Sequence, residues 1–113
     1  MTFLLLIQDG GSFRNSHAHA RADARAVMDT FTNDLKARGH YRASDALRPD
    51  DEGVRVRVRD GQTLVVDGPF AESKEVVGGF YLIECASKAE AIELAKRCPA
   101  AEWGEVEVRE IAD

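Results

Sequence analysis

Apolar residues along this chain follow two spacings, one typical of strands and one typical of helices. The run "FLLLI" at residues 3–7 is continuously apolar, which predicts a strand buried on both faces. Across residues 19–38, apolar residues recur every three or four positions, which predicts a helix with one buried stripe that ends at Gly39. That stripe contains Ala24, Val27, Met28, Phe31 and Leu35.

Residues 54–66, "VRVRVRDGQTLVV", show strict alternation of valine and arginine up to an Asp60-Gly61 pair. Alternation with period two predicts a strand, and Asp-Gly between two such runs predicts a two-residue hairpin turn. The valines of the first strand face one side and its arginines face the other. Cross-strand pairing over the turn sets Arg55 near Val66 and Arg57 near Leu64.

The remaining pattern supplies three more strands and a second helix. Apolar or alternating runs at residues 40–47, 78–85 and 104–111 predict the strands, and Ser87 with Glu90 forms a capping box for a helix that ends before Pro99. The order β-α-β-β-β-β-α-β predicts one domain over residues 1–113. We expect an α+β, ferredoxin-like subunit, with two helices on one face of a mainly antiparallel sheet.

Two of the predicted strands are apolar on both faces, although two helices can cover only one face of the sheet. The strands are "FLLLI" and "FYLI", at residues 3–7 and 80–83. Because a large exposed apolar patch is rare on a monomer, we expect a homodimer that packs sheet against sheet about a two-fold axis.

Composition excludes several classes of protein. The net charge of −5 argues against nucleic-acid binding, since such domains carry a basic stripe. No apolar run approaches the length of a membrane span, and the first ten residues lack the basic region of a signal peptide. Cys85 and Cys98 have no metal-ligand spacing and are expected to be reduced, buried thiols in the cytoplasm. We therefore expect no structural metal, no cofactor and no membrane association.

The second half of the chain resembles the DGPF branch of the YCII-related proteins, over residues 57–111. The matching residues include Asp67-Gly68-Pro69-Phe70, Gly78-Gly79-Phe80-Tyr81 and Cys98-Pro99-Ala100. The resemblance implies a dimeric α/β barrel of ferredoxin-like subunits, a small cytosolic bacterial protein, and a link to a sigma-factor pathway. Some relatives carry a His–Asp pair whose histidine lies inside the first helix. This chain has "AVMDTF" there, with Asp29 and no histidine, so the pair does not carry over.

The loop around the DGPF motif is the first candidate site. Its residues are Asp67, Phe70, Glu72, Lys74 and Glu75. In one interpretation it forms a pocket edge, where Lys74 contacts an anion and a carboxylate accepts a proton. In the other it is a folded connection held by its own ion pairs, with Phe70 in the core or at the dimer seam. We expect Phe70 to be buried and at least one of the three charged residues to face a cleft.

Other candidates are weighed against packing roles. Arg55 and Arg57 either line an anion-binding cleft or cover apolar surface with their stems. Tyr81 and Trp103 are expected to pack, and Tyr81 is the better candidate for a pocket hydroxyl. His17 and His19 form a weak metal pattern, and nothing near His40 in sequence orients it as a base.

Three functions remain open at this point: a small-molecule-binding module, a cofactor-free enzyme using carboxylate and Lys or Arg groups, and a purely structural protein.

Overall fold

The computed structural model describes residues 1–8, 18–68 and 77–112, without the side chains of residues 18–22. Six strands and two helices lie within these ranges, in the predicted order. Their bounds are β1 Thr2–Gln8, α1 Ala18–Ala37, β2 Tyr41–Ala46, β3 Val54–Arg59, β4 Gln62–Asp67, β5 Val77–Glu84, α2 Lys88–Lys96 and β6 Glu105–Glu110. Short 3₁₀ turns occupy Asp50–Glu52 and Pro99–Glu102. Neither described helix is long and apolar enough to cross a lipid bilayer.

Four strands form the main sheet, in the order β2-β5-β1-β6, and each neighbouring pair is antiparallel. One face of this sheet packs against both helices. Its core unites Phe3, Leu5, Ile7, Tyr81 and Ile83 of the strands with Phe31 and Leu35 of α1 and Ala91, Leu94 and Ala95 of α2. The α+β class with two helices on one sheet face is thereby confirmed.

The helices end where their local chemistry predicts. Gly39, directly beyond α1, has φ of +78°, a left-handed conformation that favours glycine. Ser87 accepts a hydrogen bond from the Glu90 amide at 3.1 Å and caps α2. Val27 is 45% exposed, so its predicted place in the buried stripe is wrong. The contact with the core is centred on Phe31 and Leu35, and Val27 lies beside it.

The other face of the sheet, which we call the open face, carries no helix among the described residues. Cross-strand pairing places Leu4 opposite Leu82 and Leu6 opposite Phe80, on the side away from the helical core. All four side chains are only partly buried. Charged side chains border this apolar centre, with an Arg42–Glu84 pair towards β2 and an Arg109–Glu107 pair on β6.

The β3–β4 hairpin forms a sheet of its own instead of joining the main sheet, which differs from the single sheet predicted. Its register is as predicted, with Arg55 opposite Val66 and Arg57 opposite Leu64. Every residue of both strands is exposed, and Val56 retains 64% of its accessible surface. The alternating pattern specifies a strand but not the sheet that it joins, because period two is the same wherever the strand packs.

Candidate functional site

A pocket of about 610 Å³ lies between α1 and the part of the sheet where β2 and β5 pair. Its volume falls within the range of small-molecule sites, about 300–1,000 Å³. The wall combines apolar and polar residues and includes Ile7, Ala24, Arg25, Met28, Asp29, Thr32, Ser44, Gly79, Tyr81 and Trp103.

Helical spacing and one close strand contact shape this pocket. Arg25, Asp29 and Thr32 follow one another at intervals of four and three, which places them on one face of α1. Opposite them, Gly79 of β5 lies so close to β2 that a Cβ there would come within 2.9 Å of the Asp45 carbonyl oxygen. The glycine therefore permits the strand approach that forms the floor of the pocket.

Tyr81 is the buried polar residue of the pocket, with 6% of its surface exposed. Its ring packs edge-on against Phe31, with ring centroids 5.2 Å apart. Its hydroxyl lies 2.7 Å from Thr32 Oγ1, and Thr32 Oγ1 donates a hydrogen bond to the Met28 carbonyl oxygen at 2.9 Å. Thr32 and the Met28 carbonyl oxygen of α1 thus fix the orientation of the tyrosine hydroxyl.

Burial raises the pKa of Tyr81 above its ordinary value, partly offset by the hydrogen bond with Thr32, and the charge of Asp29 contributes to the rise. The tyrosine is therefore a neutral phenol at physiological pH. A second hydroxyl pair lies at the β2 side, where Tyr41 Oη and Ser44 Oγ are 2.9 Å apart.

The predicted site residues do not come together in this pocket. Tyr81 lines it, whereas Arg57 and Asp67 are exposed on the hairpin and are not among its lining residues. Phe70, Glu72, Lys74 and Glu75 lie outside the described residues, so their predicted roles stay predictions. Arg55 is also on the hairpin, and Trp103 lines the pocket while packing against the core.

The histidines give no metal site within the described residues. His40, the residue before β2, has its Nδ1 2.8 Å from the carbonyl oxygen of Glu84 at the end of β5, and it does not line the pocket. His17 and the His19 side chain fall outside the described residues. In residues 1–8, 18–68 and 77–112, no three His, Cys, Asp or Glu residues gather as metal ligands would. The absence of a metal and of a cofactor remains a prediction.

Both cysteines are buried and free, as the sequence indicated. Burial raises the pKa of the Cys98 thiol above its ordinary value, so it is protonated and poorly nucleophilic at neutral pH. The Cys85 thiol, whose pKa is also raised by burial, donates to the Ser87 carbonyl oxygen at 3.3 Å.

Sequence reasoning did not select Asp29, Thr32 or Ser44 as site residues. Thr32 meets Tyr81 across 49 positions of the chain, so only the docking of α1 on the sheet brings them together. The one usable signal was the helical spacing of Arg25, Asp29 and Thr32, three polar residues on a face that also carries Met28.

The sheet order β2-β5-β1-β6, with both helices on one face, is that of a ferredoxin-like α+β fold. A solved structure with this fold is 5-chloro-2-hydroxyhydroquinone dehydrochlorinase from Burkholderia phenoliruptrix AC1100, in complex with 2,5-dihydroxybenzoquinone. The structural alignment covers 99% of this chain and 94% of the dehydrochlorinase chain, with a TM-score of 0.58 and 19% sequence identity. At that identity the similarity shows the fold alone.

The sequence profile of the YCII-related domain matches residues 1–113, and the chain belongs to this family. An uncharacterized protein of Rhizobium meliloti (strain 1021) is 46% identical to it over 68 residues. The matched segment is 58% of this chain and 55% of the relative, so the chain spans about half the length of that protein.

Proposed function

We propose that this protein is a small-molecule-binding module whose ligand occupies the pocket between α1 and β5. The observation that carries the proposal is a pocket of about 610 Å³ with a mainly apolar wall and one buried, oriented hydroxyl, that of Tyr81. Ligand sites combine these features, because apolar walls supply affinity and a few fixed polar groups supply orientation. The dehydrochlorinase structure supports the proposal because a protein of this fold holds a small organic molecule.

The test is to fill the pocket. Met28→Trp places a bulky ring at a lining position, whereas Val27→Trp places the same ring at a neighbouring exposed position of α1. Native mass spectrometry of freshly purified protein should detect a bound metabolite in the wild type and in Val27→Trp but not in Met28→Trp. Equal occupancy in both variants would exclude this pocket as the site.

The DGPF loop is a proposed edge of the same site. β5, which follows this loop in the chain, contributes Gly78 and Gly79 to the pocket wall. Lys74→Ala should leave the free energy of unfolding almost unchanged, since an exposed ion pair is worth at most about 1 kcal/mol. Its effect should appear as weaker binding of the metabolite. Unchanged metabolite binding would show that the loop connects β4 to β5 and takes no part in the binding site.

The second candidate function is a cofactor-free enzyme. It is favoured by the carboxylate of Asp29 in the same pocket as the neutral Tyr81 hydroxyl and the Arg25 guanidinium. A carboxylate can accept a proton while a phenol or guanidinium stabilises the resulting negative charge. A metabolite extract incubated with wild type and with Asp29→Asn distinguishes the two functions. A compound consumed only by the wild type supports an enzyme, and no difference supports a binding module.

The proposal includes a homodimer that covers the open face. Leu4, Leu6, Phe80 and Leu82 form an apolar centre inside a charged border, the arrangement of a protein–protein interface. The hairpin offers a second apolar surface, since Val54, Val56, Val58 and Val65 share one exposed face. An isolated two-stranded hairpin is marginally stable in water, so contact with a second copy would stabilise it. Sedimentation at micromolar concentration should show a dimer, and a single monomeric species would refute it.

The cellular setting is also a proposal. We place the protein in the cytoplasm of a bacterium, which its two free cysteines and its Rhizobium relative support. Its resemblance to the DGPF branch extends the proposal to a sigma-factor pathway. Affinity capture of the tagged protein from its host should recover a sigma factor or a regulator of one, and repeated recovery of neither would remove this link.

A further inference from the structure

The donor and acceptor roles in the hydrogen bonds around Tyr81 determine which ligand groups can bind to its hydroxyl oxygen. Thr32 carries a single hydroxyl proton, which it donates to the Met28 carbonyl oxygen at 2.9 Å. The 2.7 Å contact between Thr32 Oγ1 and Tyr81 Oη must then use the tyrosine proton. Tyr81 therefore donates to Thr32, and its own oxygen has lone pairs left to accept.

The alternative direction uses a poorer bond. If Thr32 donated to Tyr81, the 2.9 Å bond from Thr32 to the Met28 carbonyl oxygen would be lost, and the acceptor left for the tyrosine proton within the described residues would be that oxygen at 3.5 Å. Hydroxyl hydrogen bonds in proteins are about 2.5–3.0 Å long, so the arrangement with the 2.9 Å and 2.7 Å bonds is favoured. Burial also keeps the tyrosine protonated, because it raises the pKa of the hydroxyl.

We propose that the pocket selects ligands that present an uncharged hydroxyl group on an apolar body, with that hydroxyl donating a hydrogen bond to the Tyr81 oxygen. The inference rests on the proposed function and names the ligand class of that site. A ligand with only a carbonyl at this position would leave the Tyr81 oxygen without a donor or would take the tyrosine proton away from Thr32. Ile7, Ala24 and Met28 in the wall suit the apolar body.

A matched pair of probes tests the ligand class. Cyclohexanol and cyclohexanone have nearly the same size, but only the alcohol can donate a hydrogen bond. Nuclear magnetic resonance titrations at tens of millimolar would follow the Gly79 amide and the Trp103 indole N–H, both at pocket residues. We expect cyclohexanol to bind about three- to tenfold more tightly, the effect of one net hydrogen bond.

Two conservative variants connect that preference to the proposed bonds. Tyr81→Phe keeps the ring contact with Phe31 and removes the oxygen, so both probes should bind equally. Thr32→Val keeps the side-chain shape and removes the oxygen that Tyr81 donates to. The tyrosine proton is then free for a ligand carbonyl, and the preference should shift towards cyclohexanone.

The outcomes separate this inference from the function on which it rests. If neither probe perturbs the pocket resonances of the wild type, the binding site itself is wrong and the inference fails with it. If both probes bind the wild type equally, or if Thr32→Val leaves the preference unchanged, the pocket stands and the hydroxyl selectivity is wrong.

Discussion

At Gly79, β2 approaches β5 so closely that the contact requires a residue without a side chain. A Cβ at this position would lie 2.9 Å from the Asp45 carbonyl oxygen and 3.4 Å from the Ala46 Cα. Both atoms belong to the backbone, so relief requires the strands to move apart. Gly79→Ala should destabilise the protein by about 1–3 kcal/mol, the usual cost of overpacking. Equilibrium urea unfolding measures this loss of stability. A decrease in the free energy of unfolding of less than about 0.5 kcal/mol would contradict the proposed backbone crowding.

Cys98 gives stability a dependence on pH. Burial raises the pKa of its thiol, so the folded protein holds the proton over a range in which the unfolded chain releases it. Stability is therefore fully present below the pKa of the unfolded thiol, about 8.5, and declines as pH rises through the folded value. The slope contributed by one proton is at most about 1.4 kcal/mol per pH unit.

Removing this thiol should flatten the alkaline decline. In Cys98→Ala, the free energy of unfolding should fall less steeply above about pH 8.5 than in the wild type. Cys85 and Tyr81, whose pKa values are also raised by burial, should retain part of the slope. The difference in free energy of unfolding between the two proteins at neutral pH gives the cost of the small cavity that Cys98→Ala leaves. Subtracting this difference isolates the effect of thiol ionisation at alkaline pH. Parallel curves at alkaline pH would show that Cys98 is not the source.

At the scale of elements, the β3–β4 hairpin depends on its turn. Asp60 and Gly61 both have positive φ, 53° and 76°. Alanine in a left-handed conformation costs about 1–2 kcal/mol, so Gly61→Ala should weaken the hairpin. The hairpin pairs only with itself among the described strands. Hydrogen exchange should therefore accelerate in residues 54–67 while the four-stranded sheet stays protected.

Asp60→Asn is the matched control for this turn, because Asn-Gly suits a two-residue hairpin loop as well as Asp-Gly does. Its exchange rates should match the wild type. Equal acceleration throughout the main sheet in Gly61→Ala would show that the two sheets unfold as one unit.

Local pattern predicts the elements better than it predicts the site. The Asp60-Gly61 turn, the Gly39 helix end and the Ser87 cap each depend on neighbouring residues, and all three follow the sequence. The Tyr81–Thr32 bond depends on how α1 docks on the sheet, and no short-range pattern encodes that docking. The sequence could offer Tyr81 as a candidate pocket hydroxyl, but it could not identify Thr32 as the partner of that hydroxyl.

At the scale of the whole molecule, the open face makes a separate prediction. Leu82 lies at the centre of that face, so Leu82→Lys should place a charge in the proposed dimer interface and yield monomers. Val27→Lys, at an exposed position of α1, should remain dimeric. Sedimentation velocity distinguishes the two species. A dimer that tolerates Leu82→Lys at micromolar concentration must use another surface.

The separation of the hairpin from the main sheet also bears on how the chain can change in length. The Leu47 amide donates to the Gly78 carbonyl oxygen at 2.8 Å, so the point where the chain leaves the sheet and the point where it returns are direct neighbours. Residues 48–77, which include β3, β4 and the first residue of β5, are thus an insertion into what would otherwise be a tight turn between two antiparallel strands.

Replacing that insertion with Asn-Gly should leave a shorter protein that still unfolds cooperatively, because the helical core and the β2–β5 pairing lie outside it. Thermal unfolding followed by circular dichroism would show the transition, and its loss would mean that the insertion is needed for folding. If the shortened protein folds, segments of other lengths and sequences could replace the insertion without rebuilding the helical core.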